Sequence, residues 1–517
     1  MEQQKSGIFV TALRRLGLLR RQIIKPEEVD VKKKKVCIIG AGPVGLAATR
    51  HFKRYHDVDT YEARDKVGGL WYYDPISELT HPNLQEDEYY KFTGYLHPSI
   101  YENMTANLPK YLMQLKDFPH KEDTKTMMEP NDYLNYLTSY YTHFNLSSNI
   151  HLNTLVLKIR PLAKIDPSSS PPLSEVQKSR QFLVMTKNTL TKAIGYETYD
   201  HIVCAQGRNS RKFIPKISGQ ESWDGLQLHM HEFRKIDYDL YKDKIILIMG
   251  TNISAYDYVY HVLMSPWKAD PKKIYITGTT MGLIKQSSDL NPYVESGKIE
   301  FLTELPVEFL PDKEIKLENG RKIYLDILMY ATGYKFNFPF LCKEDQILDY
   351  SEEEGRFIYP GYKRILSARY PNFSFCGMVT GSPFPLAGVE RQILFSLSVC
   401  NDWVNLPSTE EMIEQCDRDI ELKAVFMKKK KDKVFKFDYV IFAPKPYAED
   451  LRQMINRSGK VYFKADTAFD IFDGVELVYI EKFMKGDYLS AKQTDFEQMF
   501  EKEIAIFKQK PPSAKYF

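Results

Sequence analysis

A glycine-rich turn near residue 40 has residue types and spacing that could do chemistry. Residues 36–49 read VCIIGAGPVGLAAT, an apolar run that enters a turn and leaves it through small residues. Glycines at this spacing allow a tight bend, a close approach of backbone to a pyrophosphate and close helix packing, so the pattern predicts a dinucleotide site. The residues of this first turn are Gly40, Ala41, Gly42, Pro43, Val44 and Gly45.

An acidic residue follows the first turn where a nucleotide site needs one. Glu62 comes at the end of a second short apolar run, in VDTYEARD, and its carboxylate would suit the hydroxyl pair of a ribose. The elements that must position these groups are a strand ending at Ile39, a helix beginning in the turn and a second strand ending before Glu62. The helix N-terminus would direct its N–H groups and positive dipole end at the phosphates.

A second unit of the same kind opens in the middle of the chain. KIILIMG at 244–250 has the pattern of a buried strand, and GTNISA continues it as the second turn, residues 250–255. Asn252 and Ala255 stand where the first turn has glycines. We expect Asn252 to be tolerated because asparagine enters left-handed conformations more readily than most residues, and Ala255 to add one methyl group at a helix–strand contact.

Weaker patterns connect the two units. A helix is predicted over 131–143 with Asn131 or Asp132 as its cap, strands near 154–159 and 182–186, and a further strand over 323–334. The stretch 72–130 is expected to be mostly loop with short helices, and IDPSSSPP at 165–172 a surface loop. The strand-like run FDYVIFAP at 437–444 carries no chemistry that we can name.

Length and composition bound the class of protein. The 517 residues exceed one ordinary core and predict two or three domains, and 43% hydrophobic with 27% charged residues are typical of a soluble globular protein. The net charge of +3 argues neither for nor against nucleic acid, and no nucleic-acid partner is expected. The six cysteines include no CxxC pair, which indicates a reduced, intracellular protein and excludes the redox pair of a flavin disulfide reductase.

The amino-terminal residues admit two interpretations. GIFVTALRRLGLLRRQ at 7–22 alternates apolar residues with arginines such as Arg14 and Arg15. It could form a basic amphipathic helix suited to a membrane surface or a transit peptide, or a frayed extension of the first domain. No apolar run is long enough to cross a bilayer. The expected location is the cytoplasm or the surface of an intracellular membrane such as the endoplasmic reticulum, with peripheral membrane contact as an open prediction.

Further motifs in the same order resemble those of the flavin-containing monooxygenases. After the first turn and Glu62 come GGLW, YENMTANLPKYLMQLKDFPH, WDGLQLHMHEF and YATGYKFNFPFL, and the resemblance covers roughly residues 36–405. The spacing of the family signature is met here with Trp in place of the usual Phe at its first position. The signature residues are Trp223, Gly225, His229 and Phe233.

The resemblance implies an α/β fold with two Rossmann-like dinucleotide-binding domains, the NADP domain being inserted into the FAD domain. The first turn would then bind FAD and the second turn NADPH. The expected divisions are 1–31 for an N-terminal basic amphipathic extension, 32–211 for the first part of the FAD-binding domain, 212–329 for the NADP-binding domain, 330–405 for the second part of the FAD-binding domain, and 406–517 for a C-terminal extension of unknown role.

The resemblance also implies an activity of the N,N-dimethylaniline monooxygenase type. In these enzymes NADPH reduces FAD, O₂ adds to the reduced flavin, and the resulting C4a-hydroperoxide oxygenates a soft nitrogen or sulfur of a small molecule, as in xenobiotic metabolism. The expected substrate is therefore a small amine or sulfide.

The resemblance also assigns roles to individual residues. Asn107 matches the family's flavin-facing asparagine and is the candidate catalytic residue, since an amide both donates and accepts. His229 is expected to brace the hinge between the nucleotide domains rather than to catalyse. The other expected cofactor contacts are Gly69, Leu70 and Trp71 at the flavin and Gly250, Asn252, Ser254 and Asp257 at the nicotinamide nucleotide.

Several alternatives stay open. The chain could be an uncoupled NADPH oxidase releasing hydrogen peroxide, a Baeyer–Villiger oxygenase or amine hydroxylase, or a non-catalytic FAD-binding protein with an eroded NADP site. Relatives commonly grip the 2′-phosphate of NADPH with an arginine after the next strand, where this chain has Gly278, Thr279 and Thr280. Lys285 could reach that phosphate instead. Preference for NADPH over NADH, substrate identity and oligomeric state are left open.

Overall fold

The computed structural model describes residues 29–115, 118–162, 181–209, 211–235, 237–264, 269–278, 283–349, 358–378, 386–429 and 444–458. Several predictions fall outside these ranges: the basic amphipathic helix at 7–22, the loop at 165–172, Thr279 and Thr280, and most of the strand-like run at 437–444.

The strands follow the apolar runs of the sequence. In chain order they are β1 (Lys35–Ile39), β2 (Asp57–Tyr61), β3 (Ile150–His151), β4 (Thr154–Pro161), β5 (Phe182–Asn188), β6 (Ile194–Tyr199), β7 (His201–Cys204), β8 (Arg211–Lys212), β9 (Leu226–His229), β10 (Ile245–Met249), β11 (Lys273–Thr277), β12 (Ile299–Leu302), β13 (Pro306–Phe309), β14 (Glu314–Leu317), β15 (Lys322–Tyr324), β16 (Ile327–Tyr330), β17 (Tyr334–Lys335), β18 (Gly361–Tyr362), β19 (Leu366–Ser367) and β20 (Phe373–Phe375).

The helices lie between these strands and after them. They are α1 (Pro43–Phe52), α2 (Glu88–Thr93), α3 (Pro130–His143), α4 (Tyr238–Tyr241), α5 (Ile253–Leu263), α6 (Leu283–Gln286), α7 (Asn291–Glu295), α8 (Leu386–Cys400), α9 (Thr409–Lys429) and α10 (Pro444–Arg457). Short 3₁₀ turns cover Gly69–Trp71, Leu84–Glu86, Lys110–Leu112, Ser147–Asn149, Gln220–Ser222, Met230–Glu232, Ser288–Leu290 and Lys343–Asp345.

Two predicted elements need correction. The helix expected over 131–143 begins at Pro130, and its cap is Glu129 rather than Asn131 or Asp132. Asp132 contributes from within the first turn of the helix, where its carboxylate accepts the backbone N–H of Glu129 at 3.1 Å. The strand expected over 323–334 is three short strands, because the chain leaves β15 and pairs β16 with a different sheet.

A seven-stranded sheet has the order β18-β19-β20-β7-β1-β2-β3. Its central strands β1, β2 and β7 are parallel, and their last residues Ile39, Tyr61 and Cys204 are in register. The carboxyl ends of these strands therefore meet at one edge, where parallel α/β sheets bind ligands.

A five-stranded sheet, β12-β11-β10-β16-β9, is parallel throughout. The backbone N–H of Gly40 donates to the Tyr61 carbonyl at 2.8 Å, and that of Gly250 donates to the Thr277 carbonyl at 2.8 Å. The two sheets thus repeat the same strand-and-turn geometry. Together they form the two Rossmann-like dinucleotide-binding units of an α/β fold, the unit that carries the second turn being inserted into the one that carries the first.

Each sheet is buried on both faces. In β1, Val36 and Ile38 pack on the side of α1, α3 and α8, whereas Cys37 and Ile39 pack on the opposite face against the β4–β6 sheet. The same alternation occurs in β10, whose odd and even residues belong to two different hydrophobic clusters. Burial on both faces explains why these strands read as continuous apolar runs.

Candidate functional site

The first turn lies at the carboxyl end of β1, and its outer glycines are fixed by close backbone contacts. Gly40 has φ +95°, and a Cβ there would lie 2.8 Å from the Ala205 carbonyl oxygen. A Cβ on Gly45 would lie 1.8 Å from the Gly40 carbonyl oxygen. Any side chain at either position would therefore push α1 away from the sheet.

The middle of the first turn faces the 69–71 turn. Gly42 is the N-cap of α1 with φ −73° and ψ −173°, and Pro43 is its first helical residue. No side chain among the described residues caps this helix at Gly42. The Gly42 Cα lies 2.9 Å from where a Cβ on Gly69 would be. The backbones of the two glycine turns thus lie in close contact.

The remaining residues of the two turns support this approach. Ala41 is buried, and its carbonyl accepts the Gly68 N–H at 3.0 Å. Val44 is half-buried beside Gly377, where an added Cβ would lie 2.8 Å from the Val44 Cγ2. Leu70 and Trp71 are half-buried in the 3₁₀ turn, which places them next to the Gly42–Gly69 contact.

Glu62 follows β2 directly and turns its carboxylate into the site. One carboxylate oxygen accepts the Ala41 N–H at 2.8 Å and the other accepts the Arg64 N–H at 3.0 Å. Burial raises the pKa of the Glu62 carboxyl. Each oxygen keeps a lone pair beyond its backbone bond, so the carboxylate can still accept a ribose hydroxyl.

Asn107 lies in a loop between the hydrophobic clusters that surround the first and second sheets. Its neighbour Ala106 belongs to the cluster around the first sheet, while Leu108 packs against both that cluster and the cluster around the second sheet. The loop is held by backbone bonds from Ala106 to the Met128 carbonyl and from Lys110 to the Thr126 carbonyl, both 2.7 Å. Asn107 is half-buried there, close to the junction of the two units.

The second turn keeps the backbone of the first. Gly250 has φ +130°, and a Cβ there would lie 2.3 Å from the Ala331 carbonyl oxygen. Asn252 has φ −94° and ψ −169°, close to the values at Gly42. The expectation that asparagine is tolerated through a left-handed conformation is therefore wrong. The backbone is extended and accepts any L-residue. Compared with glycine, the asparagine adds an exposed side chain at this turn.

The other predicted nucleotide contacts on or after the second turn are Asn252, Ser254 and Asp257. Asn252 and Ser254 are exposed, whereas their neighbour Ala255 is fully buried. Asp257 is one helical turn further on, and its carboxylate accepts the Tyr101 hydroxyl at 2.7 Å. That bond joins α5 to the loop that carries Asn107.

Lys285 lies close to the second turn. It is exposed on α6, and the neighbouring Ile284 N–H donates to the Thr251 carbonyl at 3.5 Å. Gly278 packs against the same turn, since a Cβ there would lie 2.9 Å from the Thr251 Cγ2. Ile284, the residue before Lys285, thus joins α6 to the second turn.

A family model described as flavin-binding monooxygenase-like matches residues 33–269 and 288–465, which is most of the chain. The chain belongs to this family. It is 26% identical over 410 residues to the flavin-containing monooxygenase FMO GS-OX3 of Arabidopsis thaliana, covering 75% of this chain and 78% of that protein. The relative FMO GS-OX4 of the same plant is 27% identical over 399 residues, with the same coverage.

Solved structures share the fold of this monooxygenase. S-allyl-L-cysteine S-oxygenase from Allium sativum superposes with a TM-score of 0.68 at 22% identity, covering 91% of this chain and 100% of that one. Tmm from Pelagibacter sp. strain HTCC7211 gives a TM-score of 0.62 at 19% identity, covering 87% of this chain and 92% of that one. Within the described residues, none of the helices is long and apolar enough to span a membrane.

Membership of this family identifies FAD and NADPH as the cofactors of the monooxygenase. The residues of the first turn fit FAD: the Gly69 backbone lies against Gly42, α1 begins there without a side-chain cap among the described residues, and the Glu62 carboxylate accepts the N–H of the neighbouring Ala41. Small-molecule substrate and O₂ are the reactants that the family implies.

The signature residues Trp223, Gly225 and Phe233 of the monooxygenase make packing contacts. A Cβ on Gly225 would lie 2.1 Å from the Trp223 ring, so the glycine is needed to seat the tryptophan. Phe233 is buried with its ring 5.2 Å from that of Tyr101. These contacts fix the segments on either side of β9.

His229 has one defined tautomer. Its Nε2 is 3.0 Å from the Gly333 carbonyl and must donate, while its Nδ1 accepts the His231 N–H at 3.0 Å. Burial lowers the pKa of His229 to about 3, so the ring is neutral. Gly333 precedes β17, which pairs with β8 where the chain passes between the two units. The expectation of a hydrogen-bonding histidine is confirmed, and its bracing of the hinge between the nucleotide domains stays a prediction.

Sequence reasoning missed a group of residues that hold the 72–101 segment. The buried Arg234 guanidinium donates to the carbonyls of Pro98 at 2.8 Å and of Ile100 and Asp74. Its position directly after Phe233 was the one available signal. Glu78, His97, His231 and Glu232 also meet beside it, and nothing in their spacing along the chain indicates this.

Proposed function

We propose that this monooxygenase reduces its FAD with NADPH and transfers one oxygen atom of O₂ to a soft nitrogen or sulfur of a small amine or sulfide. The observation that carries the proposal is the repeated turn geometry. Each turn begins with a glycine of positive φ, +95° at Gly40 and +130° at Gly250, that contacts the residue after a neighbouring strand of its sheet. Two residues later, at Gly42 and Asn252, both turns have an extended backbone. Both sites therefore have the backbone that a dinucleotide needs.

The proposed binding roles follow from the contacts of each residue. The first turn binds the FAD pyrophosphate through N–H groups of α1, and Glu62 accepts from the adenosine ribose. Leu70 and Trp71 contact the flavin. Gly250, Asn252 and Ser254 face the nicotinamide nucleotide, and Asp257 positions that helix through Tyr101.

Asn107 is the proposed catalytic residue. The flavin, once reduced and combined with O₂, supplies the oxygen atom; the protein must orient it and exclude water. An amide near the flavin can donate to one polar group and accept from another without titrating. Placement of its loop between the two hydrophobic clusters supports this role.

Substitution of Asn107 tests that role. Asn107→Ala should keep FAD bound but form more hydrogen peroxide and less oxygenated product for each NADPH consumed. If one stabilising hydrogen bond is lost, the ratio of peroxide to product should rise about tenfold or more. The matched control is Asn135→Ala on the exposed face of α3. Equal product and peroxide yields from both variants would remove Asn107 from the mechanism.

Two alternatives rest on the exposed Asn252 side chain, which occupies space in front of the second turn. Poor binding of the nicotinamide nucleotide would yield an uncoupled NADPH oxidase, and no binding would yield a non-catalytic flavoprotein. Anaerobic addition of NADPH or NADH to the yellow protein separates them. Flavin bleaching followed by N- or S-oxide in air supports the proposal. Bleaching followed by peroxide alone indicates the oxidase, and an unbleached flavin excludes both activities.

The division into an FAD-binding domain at 32–211 and 330–405 and an NADP-binding domain at 212–329 is part of the same proposal. Strands β1–β3 and β7 before the insertion, and β18–β20 after it, form one sheet, while β9–β12 and β16 form the other. The β8–β17 ribbon joins residues 211–212 to 334–335, near both proposed boundaries. Selectivity for NADPH over NADH through Lys285 also belongs to this proposal.

A further inference from the structure

Four side chains that can ligate metals meet next to the turn that follows β9, outside both glycine-rich turns. Glu78 and His97 come from the 72–101 segment, and His231 and Glu232 come from the 3₁₀ turn after β9. One ligand atom from each lies within 4.8 Å of the others. The side chains are 2%, 0%, 0% and 4% exposed, so the four form a buried polar cluster.

The His97 ring faces this cluster. Its Nδ1 is 3.0 Å from the Pro98 carbonyl oxygen, which can only accept, so Nδ1 carries a proton. The Nε2 faces the Glu232 Oε2 at 3.8 Å. Neither atom has a hydrogen-bond partner among the described residues. A cation bound by both atoms would satisfy them.

The second pair is His231 and Glu78. The His231 Nε2 lies 3.5 Å from the Glu78 Oε1 and has no hydrogen-bond partner within the described part of the chain. The two imidazoles are stacked at 4.4 Å with 15° between their planes, so their in-plane lone pairs run nearly parallel. One ligand atom of each ring still lies within 4.8 Å of both carboxylates.

Lys212 contacts one oxygen of each carboxylate. Its Nζ lies 2.5 Å from the Glu78 Oε2 and 3.4 Å from the Glu232 Oε1. The other Glu78 oxygen, Oε1, accepts the Leu96 N–H at 2.9 Å, and the Arg234 guanidinium adds a second positive charge near Glu232. The atoms of the cluster without a hydrogen-bond partner among the described residues are His97 Nε2, His231 Nε2 and Glu232 Oε2.

We propose that Glu78, His97, His231 and Glu232 bind one divalent transition-metal ion, for which zinc is the probe. Zinc takes imidazole nitrogen and carboxylate oxygen at about 2.0–2.2 Å in tetrahedral sites, which puts neighbouring ligand atoms about 3.4 Å apart. Two of the observed separations are 3.5 and 3.8 Å and all lie within 4.8 Å, so the ligand atoms would have to draw together by up to about 1.4 Å. Two nitrogens disfavour Mg²⁺ and Ca²⁺, which prefer oxygen shells.

The Pro98 carbonyl orients His97 through Nδ1, as outer partners commonly do at metal sites. Four protein ligands would fill a tetrahedral ion, leaving no open position for substrate. The ion would therefore be structural. It would fasten the 72–101 segment of the first unit to the turn after β9 in the second unit.

Metal analysis of the full flavin-loaded chain tests the site. After chelator treatment, equilibration with zinc and desalting, elemental analysis should give about one zinc per chain. X-ray absorption at the zinc edge should show imidazole scattering. His97→Gln with His231→Gln should remove that zinc, while His143→Gln, on an exposed helix face, should retain it. Equal, substoichiometric zinc in wild type and the double variant would overturn the proposal.

Lys212→Met distinguishes a metal site from a buried network of charged side chains that binds no metal ion. Removing the ammonium should leave zinc binding intact or tighter, and zinc should raise the melting temperature of the variant. If Lys212 is instead the only cation of the cluster, the variant should be destabilised and zinc should not restore it. That outcome would also overturn the proposal, and it needs no histidine variant to fold.

Discussion

Gly42→Ala should separate FAD binding from folding. At Gly42 the backbone is extended, with φ −73° and ψ −173°, and an added Cβ would lie 3.5 Å from the Gly69 Cα, an ordinary contact. Alanine at a compatible conformation is stabilising by about 0.4–1 kcal/mol through the unfolded state. The apoprotein should therefore be as stable as wild type or slightly more so.

The cost of Gly42→Ala should fall on the cofactor. The methyl group would stand between the first turn and the pyrophosphate and would break at least one N–H to phosphate hydrogen bond. A hydrogen bond to a charged group is worth about 1.5–3 kcal/mol, which corresponds to a roughly 10- to 150-fold rise in the FAD dissociation constant. Titration of apoprotein with FAD, followed by the quenching of flavin fluorescence, measures it.

Gly45→Ala is the matched comparison. Its Cβ would lie 1.8 Å from the Gly40 carbonyl oxygen, so this variant should lose stability already as apoprotein, by about 1–3 kcal/mol or more. Chemical denaturation of both apoproteins gives the comparison. Wild-type FAD affinity in Gly42→Ala, or equal destabilisation of both variants, would refute the placement of the pyrophosphate at Gly42.

Three further predictions concern the second unit. Lys285→Ala should raise the KM for NADPH about tenfold and leave that for NADH unchanged, since one phosphate contact is worth about 1.4 kcal/mol; steady-state kinetics with both cofactors would show whether Lys285 reads the phosphate. Tyr101→Phe should lower the free energy of unfolding by about 1.5–3 kcal/mol through loss of the 2.7 Å bond to Asp257, as denaturant titration can check. His229 has its pKa lowered to about 3 in the fold, so the unfolded chain binds more protons between that pH and about 6.5 and stability falls as pH drops through this window. Between pH 7 and 5 wild type should lose about 2 kcal/mol more than His229→Asn in urea unfolding; parallel losses would show that His229 is charged in the fold.

The local elements of the site could be predicted because their signals are local. A strand buried on both faces appears as an uninterrupted apolar run, as in β1 and β10, and a glycine follows each where φ is positive. Glu62 could be placed because it directly follows a strand whose register is set by β1. The signature histidine could be assigned a hydrogen-bonding role, and its ring contacts the Gly333 carbonyl and the His231 N–H.

Contacts between distant segments could not be predicted in the same way. Tyr101 and Asp257 are joined only because a loop of the first unit docks on α5 of the second. The conformation of Asn252 was predicted wrongly because the residue type favours left-handed backbone, whereas the helix start fixes it as extended. The buried Glu78 and His97 also meet their partners through docking, which no periodicity encodes.

The two turns differ at one buried position, and this difference bears on how they work. Gly45 leaves no room for a methyl group, since its Cβ would lie 1.8 Å from the Gly40 carbonyl oxygen, whereas Ala255 carries that methyl and is fully buried. With similar backbone at the N-cap residues Gly42 and Asn252, α5 must start farther from its strand than α1 does. The second turn is therefore wider than the first where its helix packs on the strand.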